Sequence, residues 1–137
     1  MSDLQCPATF LLVPSDAEPA ELGRALAHDR VAEVRSAPHP QAVALARRLA
    51  TSWGLPEPGG ADLDETTCRA VLTDLADLRR GETSVVVVER GLLGAVAGRE
   101  SGDGPALVEV RVDADGWVVQ GRSAWMVGRG VRDATDG

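Results

Sequence analysis

The chain has 137 residues, 44% of them hydrophobic, 26% charged and 3% aromatic, with a formal net charge of -7. That length suits one domain spanning residues 1–137 with its own core, and the acidic balance excludes counterion-driven binding to nucleic acid. No apolar run approaches the roughly 18 residues of a membrane span and the N-terminus lacks a signal-peptide pattern, so a cytoplasmic protein without membrane partners is expected.

The elements alternate. Ala8 to Val13 is a continuous apolar run, the pattern of a buried parallel strand. A Pro-containing loop, Pro14-Ser15-Asp16-Ala17, leads to a short helix over Ala20 to Ala27. Val31 to Ser36 is a second strand, closed by Pro38 and Pro40. From Gln41 to Trp53 apolar residues recur at helical spacing, with Arg47 and Arg48 on the other face and Gly54 as C-cap. "PEPGGADLD" reads as a loop, after which Asp64 or Thr66 caps a third helix with Val71, Leu72, Leu75 and Leu78 as its apolar stripe, stopped by Gly81. Thr83 to Val88, β-branched almost throughout, is predicted to be a central strand. A short helix over Leu92 to Ala97 follows, and "ALVEVRV" and "WVVQG" flank an Asp-Gly turn, a terminal antiparallel hairpin.

Cys6 and Cys68 are the only cysteines and have no His at ligand spacing, so neither a disulfide framework nor a metal site is expected, and Cys68 reads as a small core residue. All 14 basic residues are Arg, while Lys, Asn, Ile and Tyr are absent. Those four share AT-rich codons, which points to a high-GC bacterial genome, and their absence removes Schiff-base lysine and tyrosine chemistry. No cofactor is suggested.

In order and spacing, "FLLVPSDAE", "VRSAPHPQAVALA" and "VVVVERGLLGAV", with the closing "VEVRVDADGWVV", resemble the histidine phosphatase superfamily, the phosphoglycerate mutase-like proteins. The resemblance covers roughly residues 8 to 120. It implies an α/β fold, a three-layer α/β/α sandwich with a mostly parallel central sheet and a C-terminal antiparallel hairpin. It also implies a phosphate site, at which this chain departs from the pattern. The motif Arg falls on Pro14, the nucleophilic His on Ser15, the following Gly on Asp16, the second phosphate-binding Arg on Gln41 and the second His on Arg90. Glu89 precedes Arg90, and Glu65 stands near the usual acid.

These replacements remove the chemistry. Imidazole attacks phosphorus without help near neutral pH, whereas a serine hydroxyl needs its own base. Gln in place of Arg loses the charged bidentate fork that clamps a phosphate. Asp16, Glu65 and Glu89 outnumber Arg90, so a dianion is repelled. The expectation is a catalytically dead pseudoenzyme whose vestigial pocket is Pro14, Ser15, Asp16, His39, Gln41, Glu65, Glu89 and Arg90. It would serve as a binding, regulatory or accessory partner with a small polar or cationic ligand.

Alternatives remain beside it. An enzyme could reuse the crevice for non-phosphate chemistry in specialised metabolism, and Ser15, His39 and Glu89 could assemble a Ser-His-acid constellation. His39 between two prolines is also what a plain loop histidine looks like, and His28 reads as a solvent residue at a helix C-terminus. Arg90 could bind a ligand or pair with Glu89 or Asp16. Trp125, Met126 and Val127 in the tail "RSAWMVGRGV" suggest a homo-oligomer or protein-partner surface, with core packing as the other reading.

Overall fold

Six strands and four helices follow one another in the order β1 (Ala8–Pro14), α1 (Pro19–Ala25), β2 (Val31–Ser36), α2 (Pro40–Trp53), β3 (Gly59–Gly60), α3 (Cys68–Leu78), β4 (Thr83–Val88), α4 (Arg90–Ala97), β5 (Leu107–Asp113) and β6 (Gly116–Arg122). They belong to a computed structural model that describes residues 7–27, 29–97, 107–113 and 116–122. Cys6, His28, Trp125, Met126 and Val127 lie outside these residues.

The strands form one sheet in the order β3-β2-β4-β1-β5-β6. β4 pairs in parallel with both β1 and β2, as its run of valines predicts for a strand covered on both faces. β5 runs antiparallel to β1 and β6 antiparallel to β5, which is the expected hairpin, with Asp113 accepting the Gly116 N–H at 3.0 Å. The alternation along β1 and β4 feeds two cores. Phe10, Leu12, Val86 and Val88 pack against α3 and α4, while Leu11, Val13, Val85 and Val87 pack against α1 and α2. The three-layer sandwich therefore follows directly from strands whose two faces are both apolar.

Several boundaries differ from expectation. β1 continues to Pro14, which pairs with Val88 at the end of the ladder where its missing N–H is tolerated. α1 starts at Pro19 and ends at Ala25, and α4 starts at Arg90 rather than Leu92. The expected loop around residue 59 contains a two-residue strand, β3, on the outer edge of β2. Arg35 holds it, donating to the Gly60 carbonyl at 2.9 Å. A Cβ at Gly59 would come within 3.2 Å of that guanidinium, so glycine permits the close approach.

α3 buries Cys68, Leu72 and Ala76, spaced four apart, with Val71 and Leu75 half-buried. Leu78 is instead 73% exposed. It stands six positions beyond Leu72, about 120° around the helix from it, and so falls off the buried stripe. α2 ends as predicted at Gly54, whose φ of 70° is the left-handed conformation that glycine adopts without penalty.

Candidate functional site

β1 and β4 are neighbours, yet β1 sends its chain to α1 on one face of the sheet and β4 sends its chain to α4 on the other. Diverging connections of this kind open a crevice at the carboxyl ends of the strands, where ligands of open α/β sheets bind. The residues expected at the vestigial pocket gather here, and three side-chain pairs cross it.

Ser15 follows β1 directly. Its N–H extends the ladder to the Val88 carbonyl at 2.7 Å, and its Oγ donates to Gln41 Oε1 of α2 at 3.4 Å. Asp16 meets Arg90 at the start of α4. The guanidinium donates from Nη2 to Oδ1 at 2.9 Å and from Nε to both carboxylate oxygens at 3.2 Å. Those hydrogen bonds, and then the nearby positive charge, hold the Asp16 carboxyl below its ordinary range. Of the two pairings open to Arg90 from the sequence, the one with Asp16 is formed.

His39 is the N-cap of α2. Its Nδ1 accepts the Ala42 N–H at 3.4 Å, and its Nε2 lies 3.9 Å from Glu89 Oε2, beyond hydrogen-bond distance. With the Nδ1 lone pair directed at a backbone donor, the neutral ring carries its proton on Nε2. The ring then has no lone pair to offer Ser15. The Ser-His-acid constellation is thus not assembled, because Ser15 is turned to Gln41 and His39 serves as a cap.

A cavity of about 430 Å³ opens beside His39 and Glu89. Glu65 also lines it, as do Asp62 and Asp64. Sequence reasoning misses these two aspartates as site residues because "DLDE" reads locally as a turn and cap. Neither Asp64 nor Thr66 is the N-cap of α3, which is Thr67 with no side-chain cap bond, and Asp64 instead holds the turn before it. Its Oδ1 accepts from the Thr66 hydroxyl at 2.7 Å and from the Thr66 and Thr67 N–H groups at 2.8 Å each. These bonds, the Thr66 hydroxyl foremost, lower its pKa to about 2. Four carboxylates line the cavity, and no Arg is among the described residues lining it.

No group of three or more His, Cys, Asp or Glu among the described residues is placed to hold a metal ion, and no described helix is long and apolar enough to cross a membrane. Cys68 is buried in the core beneath α3, and burial raises its thiol pKa, helped by the Asp64 charge.

No protein-family model matches the sequence, and no curated protein matches it. Among solved structures, the crystal structure of a phosphoglycerate mutase from Plasmodium falciparum superposes with a TM-score of 0.56 at 11% identity, over 87% of this chain and 92% of that one. At this identity the superposition speaks for the fold alone. The chain therefore has the phosphoglycerate mutase-like, histidine-phosphatase fold.

Proposed function

We propose that this protein is a catalytically inactive relative of the histidine phosphatases that works by binding, with its strand-end crevice accepting a cationic or neutral polar group. One observation carries the reading: Arg90, the crevice's cation, is already held by Asp16, and the adjoining cavity is lined by four carboxylates. Hydrolysis of a phosphate monoester requires accelerations of up to about 10²¹, supplied largely by positive charge and oriented donors around the phosphoryl group. A site of this sign opposes that transition state. The competing idea of a reused enzyme crevice lacks an activated nucleophile, since Ser15 Oγ is bonded to Gln41.

The test is incubation of purified protein with p-nitrophenyl phosphate, together with calorimetry against inorganic phosphate and a series of mono- and diamines. The expected result is no hydrolysis above background, no heat with phosphate, and binding of amines. Turnover that disappears in Ser15→Ala, or tight phosphate binding, overturns the proposal.

A further inference from the structure

A second cavity, of about 460 Å³, opens between the start of α3, the later part of α4 and β6. Cys68, Val96, Trp117 and Val119 give it an apolar and aromatic lining, and Glu65 and Arg69 supply two opposite charges. The Arg69 guanidinium lies over the Trp117 ring, 4.8 Å from its centroid. A guanidinium held against the ring face by cation–π attraction keeps its N–H donors for an acceptor. Among the described residues, neither the Arg69 guanidinium nor the Glu65 carboxylate has a hydrogen bond or ion pair.

Glu65 lines both cavities, so this groove adjoins the one lined by Asp62, Asp64 and Glu89, while Arg69 lines this groove alone. The groove thus combines one acidic and one basic side chain with an apolar wall, next to a cavity rich in carboxylates. We propose that the groove binds a free α-amino acid with an apolar side chain: the ammonium group meets Glu65, the carboxylate takes the Arg69 fork, and the side chain packs against Val96, Trp117 and Val119. Neighbouring ligand classes fit less well. A simple amine leaves Arg69 without an acceptor, a simple carboxylic acid faces the carboxylates beyond Glu65, and a phosphate dianion meets them more strongly. The proposal deepens the binding-protein reading and rests on it for treating the molecule as a binder of small ligands.

The experiment is a titration of the whole chain with L-phenylalanine and L-leucine, followed by calorimetry and by the Trp117 indole N–H resonance, identified with Trp117→Phe. Phenethylamine and 3-phenylpropionate serve as the singly charged counterparts. Each amino acid is expected to bind at least about tenfold more tightly than either counterpart, and Glu65→Gln and Arg69→Gln each to weaken it by about tenfold or more. Both side chains are exposed, so unchanged thermal melting will show that the variants remain folded. No indole shift up to ~10 mM amino acid, phenethylamine shifting the Trp117 indole at concentrations as low as phenylalanine does, or an Arg69→Gln variant of undiminished affinity at the indole overturns the proposal, whereas heat from phenethylamine without an indole shift reports the strand-end crevice. Hydrolysis of the aryl phosphate would instead overturn the inactive-crevice reading while leaving the groove titration to stand by itself.

Discussion

Removing the Asp16 carboxylate measures how open the strand-end crevice is to water. The Arg90 and Asp16 side chains are 56% and 51% exposed, joined at 2.9 Å. Two unit charges 4 Å apart attract by about 1 kcal/mol in bulk water and about 4 kcal/mol near a protein surface. Side-chain ordering and solvent screening offset most of that, and exposed pairs couple by about 0.2–1 kcal/mol. The two-pronged geometry places this pair at the upper end, about 1 kcal/mol. Urea unfolding of Asp16→Ala, Arg90→Ala and the double variant isolates the coupling, which should at least halve at about 0.5 M salt. Because Arg90 lowers the Asp16 pKa, the contribution is fully present above the ordinary carboxylate range and is lost as the pH falls through the lowered value. A salt-insensitive coupling above about 2 kcal/mol would mean that the pair is sealed from water, and zero coupling would refute the net stabilisation of about 1 kcal/mol assigned to its two-pronged geometry.

Leu72→Ala should cost roughly 3–5 kcal/mol, since Leu72 is fully buried in the core beneath α3. Leu78→Ala, at an exposed position, should stay within about 0.5 kcal/mol; equal losses in the denaturation curves of the two variants would contradict the assigned helix face. Asp64 should give wild type a component of acid sensitivity that develops below about pH 4 and is complete only below about pH 2, following its lowered pKa. Asp64→Asn should abolish that component in acid titrations monitored by circular dichroism, and an unchanged profile would count against the turn preceding α3. In a Cys6→Ser background, Cys68 should react with a disulfide reagent slowly in the native protein and rapidly in denaturant, because it is buried with a raised thiol pKa. Rapid native labelling would show that α3 opens.

Features written in local pattern are legible in the amino-acid sequence by itself. The valine run of β4 forecasts its place between β2 and β1, and the spacing of Ala42, Leu45, Ala46 and Leu49 forecasts the buried face of α2. What local pattern does not carry depends on contacts between distant residues. β3 exists because Arg35 reaches Gly60, and a pair of glycines carries no strand signal. The conversion of the crevice into cross-ties is only half visible in the sequence: Asp16 and Arg90 stand out as crevice residues, but their union requires α4 to begin at Arg90. Asp62 and Asp64 are hidden by the turn in which they lie. The cation–π contact of Arg69 with Trp117 joins α3 to the last described strand, a relation that no helical or strand period encodes.

The position of β4 also governs the order in which the chain can assemble. β1 and β2 do not pair with each other. Each pairs with β4, so Thr9 finds its partner only when Thr83 is available. During synthesis the apolar segment Phe10–Val13 leaves the ribosome long before its neighbour exists, and it must wait with an unpaired backbone. Such non-local pairing slows folding through the loop that has to close first. A cell making this protein is thus expected to shield its first strand until the ribosome has passed Val88, after which β1, β4 and β2 can zip into the centre of the sheet together.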